Sequence, residues 1–205
     1  MSTKTKRMDG FLESVKEFIQ TDKAKKSKLI EWLERWDAAE AESTELEKLS
    51  ETLPVEIDEL LAGGRMDEKT VGKLARNRAF LDLLPGRMEK LADELEKLGE
   101  SEYADASVFV EKSVEKATRI YFDRQMEGAV SDLMALGVSA DIAKQQAILR
   151  DDLQAIEPLS TAMMIHGSLG ARARQLLFHY ESFAVGLHPR SPEAETIRKK
   201  WFPNG

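Results

Sequence analysis

Apolar side chains recur along this chain in steps of three and four, the spacing that gathers them on one face of an α-helix. The most regular run is Leu159, Ala162, His166, Leu169, Ala173, Leu176, Tyr180, Phe183 and Leu187. A second row, Met163, Gly170, Leu177 and Ala184, widens it. A helix over this stretch would reach roughly 40 Å at about 1.5 Å per residue. Such a helix is unstable alone in water, so the rest of the chain must cover it. The unbroken stripe predicts one helix through Gly167–Gly170, closed at Pro189.

Two more runs have the same period. The first is Leu29, Trp32, Trp36, Ala39, Ser43, Leu46, Ser50 and Leu53, with Leu33 and Leu49 beside it. Thr21-Asp22 would cap this helix and Pro54 would end it. Residues 55–62 then form a short amphipathic helix stopped by Gly63-Gly64. The second run, capped by Asp67, is Val71, Leu74, Arg78, Leu81, Leu84, Met88, Leu91, Leu95 and Leu98. Pro85-Gly86 inside it predicts a kink or break, and Gly99 a C-cap. Two stripes of similar length joined by about a dozen residues suggest an antiparallel hairpin.

Beyond Ser101 the apolar positions Tyr103, Val108, Phe109, Val110, Val114, Ala117, Ile120 and Tyr121 spread around most of a helix. That distribution predicts burial among several helices, up to a stop at Gly137. Ser139 caps the next helix. Ser191-Pro192 is a favourable start for a last short one. No alternating strand pattern and no Asn-Gly or Asp-Gly hairpin between apolar runs is seen. The fold class read from this pattern is all-α, a long antiparallel, coiled-coil-like helical hairpin plus a helical bundle. Its divisions are a basic tail and short helix over 1–21, the hairpin over 22–100, the bundle over 101–188 and a C-terminal segment over 189–205.

Composition narrows the chemistry. The chain of 205 residues has no cysteine, which excludes disulfides, thiolate catalysis and cysteine-ligated zinc. No apolar run approaches the ~18 residues of a membrane span, and the N-terminus lacks a signal-like apolar stretch. The expectation is a cytoplasmic protein with no membrane contact. The net charge of −7 is uneven. Residues 1–28 hold eight Lys/Arg against four Asp/Glu, whereas residues 29–102 hold ten against twenty. The acidic middle argues against nucleic acid lying along it.

Candidate chemistry is sparse. Glu111 and Glu115 stand one turn apart and Asp151-Asp152 adjoin, but interleaved Lys112, Lys116 and Arg150 mark salt-bridged surfaces rather than a metal centre. His166, His179 and His188 match no metal-binding spacing. The segment from His166 to Arg174 would offer Ser168, Arg172 and Arg174 to an anion if a helix began there. Lys23, Lys25, Lys26 and Lys28 form a basic cluster able to touch phosphates. Trp201 and Phe202, beside cations at positions 198–200, either fold back or anchor a partner. His166 reads as a core or interface histidine, and it and Tyr180, the polar-tipped members of the stripe, are the first candidates for a partner contact. Trp32 and Trp36 read as packing residues.

The function this pattern supports is non-catalytic. It describes a structural or adaptor subunit acting through helix–helix contacts with itself or a protein partner, with no catalytic residue, cofactor or metal. A nucleic-acid-associated subunit using the basic cluster with Arg172 and Arg174 is the alternative. A helical metal-dependent hydrolase comes third.

Overall fold

The computed structural model describes residues 19, 26–64, 67–148, 168–187, 189 and 191–203. Among them every regular element is helical and there is no strand, so the protein is all-α. The helices are α1 (Ser27–Ala62), α2 (Glu68–Lys97), α3 (Tyr103–Ala135), α4 (Ala140–Ile148), α5 (Leu169–Ala184) and α6 (Glu195–Trp201). A π-helical turn, Leu98–Glu102, joins α2 to α3, and a 3₁₀ turn, Pro192–Ala194, leads into α6. The chain divides into two compact units, Glu31–Ala104 and Met1–Ile30 with Asp105–Gly205.

In the first unit α1 buries Trp32, Leu33, Ala39, Leu46, Leu53 and Ile57. This is the expected stripe, carried past Pro54. Pro54 does not end the helix, and residues 55–62 are its last turns rather than a separate element. Pro85 likewise lies inside an unbroken α2. Both prolines are exposed. Each proline removes one amide donor from its helix, a cost confined to a single turn. Each fully buried leucine contributes about 1.5–3 kcal/mol, so the continuous buried row outweighs the break.

The α2 row also differs from expectation. Arg78 is exposed and Asn77 is buried in its place. The row is then Leu74, Asn77, Leu81, Leu84, Met88, Leu91, Leu95 and Leu98, in strict alternation of three and four. Asp67 caps α2 as read, accepting from the Thr70 N–H at 2.8 Å. That bond holds its carboxyl below the usual carboxylate range.

Gly99 does not cap α2. The chain continues through the π turn, closed by the Tyr103 N–H donating to the Leu98 carbonyl. Trp32 Nε1 donates to the same carbonyl at 3.0 Å. The turn holds the buried row in place, since Leu98 is followed by buried Tyr103, a step of five.

In the second unit α5 is buried on most of its circumference, at Gly170, Ala173, Leu176, Leu177, Phe178, Tyr180, Ser182 and Phe183. The helix begins at Leu169. Ser168 has ψ 159° and its hydroxyl accepts from the Ala171 N–H. The predicted continuous helix through Gly167–Gly170 is therefore corrected, because Ser168 is a better N-cap than an interior residue. The part of that stripe before Ser168 lies outside the described residues. The far end closes at Gly186 rather than Pro189. Gly186 at φ 76° and Gly137 at φ 88° each end a helix in the left-handed conformation that glycine alone adopts without strain. The Leu187 N–H reaches the Ser182 carbonyl and the Val138 N–H that of Leu133, a six-residue closure at both sites.

Candidate interaction surface

The helix pair of the first unit is read most directly from its polar contacts. Residues 35, 42, 49 and 56 recur every seven along α1, and 73, 80, 87 and 94 do so along α2. Arg35 meets Glu94 at 4.0 Å, Glu42 meets Arg87, and Glu56 meets Lys73 at 3.9 Å. These pairs run in opposite chain directions, so α1 and α2 are antiparallel. The register sets Leu49 opposite Phe80 at the remaining step. Asn77 Nδ2 donates to Glu56 Oε2 at 3.0 Å and fixes the same register from the buried row. Exposed ion pairs are worth only about 0–1 kcal/mol each, so this ladder selects alignment more than it adds stability.

Beside the ladder lies a groove of about 670 Å³ with Leu46, Leu49, Leu53 and Phe80 on its floor. Its α1 wall carries Glu42, Glu45 and Glu56, and its α2 wall Arg76 and Arg87. Among the described residues of this unit, every exposed large apolar side chain falls between 55 and 83. They are Val55, Leu61, Val71, Phe80 and Leu83, at 40 to 66% exposure. None belongs to the two buried rows. Trp32 stacks on Trp36 at 5.2 Å and meets Tyr103 edge-on at 4.9 Å, which makes both tryptophans packing residues.

Among the described residues of the second unit, a polar clasp forms on α5. Glu181 accepts from Lys26 at 2.8 Å, from Lys200 at 2.8 and 2.9 Å, and from Trp201 Nε1 at 3.0 Å. Burial of the carboxyl pushes its pKa up, and the hydrogen bonds from Lys200, Lys26 and Trp201 more than offset this, leaving it below the ordinary value. Arg198 lies over the Phe178 ring at 5.1 Å, and Phe202 meets the same ring edge-on at 6.3 Å. The C-terminal helix is thus docked on α5, with Trp201 and Phe202 used inside the chain.

The remaining sequence candidates are dispersed. Tyr180 is fully buried and its hydroxyl donates to the Ile19 carbonyl at 3.0 Å. Lys28 is exposed, and Arg172 and Arg174 are half-buried on α5. Lys23, Lys25 and His166 lie outside the described residues, as do Asp151 and Asp152. Among the described residues no group of three or more His, Asp or Glu side chains is placed to hold a metal ion, and no helix is long and apolar enough to cross a membrane.

Two residues that carry this geometry escaped the sequence reading. Asn77 had a signal, since counting Arg78 in the row forces two successive steps of three after it. Glu181 had one too, as the sole carboxylate between Pro158 and Pro192. No family model, no curated protein and no solved structure matches this chain.

Proposed function

We propose that this chain is a non-catalytic structural or adaptor subunit of the cytoplasm, working through helix–helix contacts with itself or a protein partner. In this reading α1 and α2 act as a coiled-coil-like hairpin whose end near Gly63-Gly64 enters the assembly. The observation that supports it is that, among the described residues of the first unit, every exposed large apolar side chain falls between 55 and 83. A helical surface that is apolar beyond its own buried row is one that another surface covers. The basic-cluster alternative gains nothing comparable, because Lys26 is committed to Glu181.

Sedimentation equilibrium and native isolation test the proposal. The expected result is a mass above the 23.1 kDa of one chain, or a stoichiometric protein partner. Leu83→Glu, at a position already exposed, should abolish the association while circular dichroism shows unchanged helicity. A monomer that keeps no partner through isolation would overturn the reading.

A further inference from the structure

We propose that the groove beside the ion-pair ladder is filled by a second copy of this chain, with α1 of one copy lying antiparallel across α2 of the other. The proposal rests on the helix-association reading above and adds the face, the occupant and the orientation.

Charge is sorted across the groove. Its α1 wall is acidic, with Glu42, Glu45 and Glu56, and its α2 wall is basic, with Arg76 and Arg87. The floor between them is apolar. A copy docked with α1 on α1 sets acid against acid and base against base. A copy turned about an axis parallel to the helices sets each acidic wall on a basic one. That contact is isologous and closes after two chains. It also makes a four-helix arrangement in which every neighbouring pair is antiparallel.

Two charges sharpen the fit. Glu45 and Arg76 line the groove and form no ion pair among the described residues. By the ladder register, Glu45 lies three residues, about 4.5 Å along the axis, from the level of Arg87. Arg76 lies equally far from the level of Glu56. In the docked pair Glu45 therefore faces Arg87 of the second copy, and Arg76 faces Glu56 of the second copy. At the centre, Leu49 and Phe80, the ladder step without charge, meet their counterparts. A different protein would have to carry this same pattern of one acidic and one basic wall around an apolar strip.

The test is the dimer dissociation constant of the full chain, with helicity followed by circular dichroism. Glu45→Arg faces Arg87 of the other copy and should weaken the dimer about tenfold, the equivalent of 1.4 kcal/mol. The triple change Glu42→Arg, Glu45→Arg, Arg87→Glu keeps the ladder pair within each chain and reverses both walls at that level. It should restore the wild-type constant. Glu96→Arg, away from the groove, should change nothing.

A dimer indifferent to Glu45→Arg would overturn the inference and leave the helix-association reading standing. So would rescue of Glu45→Arg by Arg76→Glu, which would mean that these two residues meet directly and the copies cross. A monomer that takes a different protein along the groove would also overturn the second copy as occupant. A monomer with no partner would overturn both readings.

Discussion

Glu181 shows how one side chain can hold a chain end. It draws in Lys26 and, far from it in sequence, the adjacent pair Lys200 and Trp201. The clasp needs the carboxylate charged. Its pKa in the folded protein is lowered from the ordinary 4.5, so the stabilisation is fully present above that value and is lost as pH falls through the lowered one. The protection of the α6 amides, measured against their intrinsic exchange rates, is therefore expected to be high at neutral pH and to fall as the pH drops below 4.5. Glu181→Gln should expose the same amides at every pH, at a cost of about 1–3 kcal/mol. Exchange that stays slow in the Gln variant would show that Phe178, Arg198 and Phe202 hold the helix without the clasp.

At the scale of elements, the period of the apolar rows placed α1, α2 and α5, while stop signals misjudged where they end. Proline acts on one turn, whereas a buried row such as Leu46, Leu53 and Ile57 acts over the whole helix, and a sequence offers no direct way to weigh the two. Ser168 erred the other way. Its capping bond to the Ala171 N–H outweighs a stripe that runs on regardless. Continuity of α2 implies that Pro85 and Gly86 are tolerated rather than required. Pro85→Ala should raise stability by about 1–3 kcal/mol. Gly86→Ala, whose added methyl would meet nothing within 4 Å, should add about 0.5–1 kcal/mol. Urea unfolding measures both, and a loss in either would mean that a bend at this point is needed.

For the whole molecule, the all-α class was legible from periodicity and composition, but the groove beside the α1–α2 ladder was not. The acids of the middle segment looked like a uniform solvated face. Only the pairing of α1 with α2 gathers some of them into the ladder and the groove wall, and that pairing depends on residues tens of positions apart, such as Glu42 and Arg87. A surface built this way should respond to salt as charge does. Raising ionic strength until the Debye length is about 3 Å should loosen the association, whereas a purely apolar contact would hold or tighten. The π turn at Leu98–Glu102 carries one last consequence, for chain length. It takes up a single surplus residue between Leu98 and Tyr103 without turning either buried row away from its face. A one-residue deletion inside 99–101 would convert it to plain α-helix and leave both rows aligned, while the same deletion a few turns away would swing everything beyond it by about 100°. The π turn is thus a place in the long helix that can lose one residue and keep the helical register on both sides.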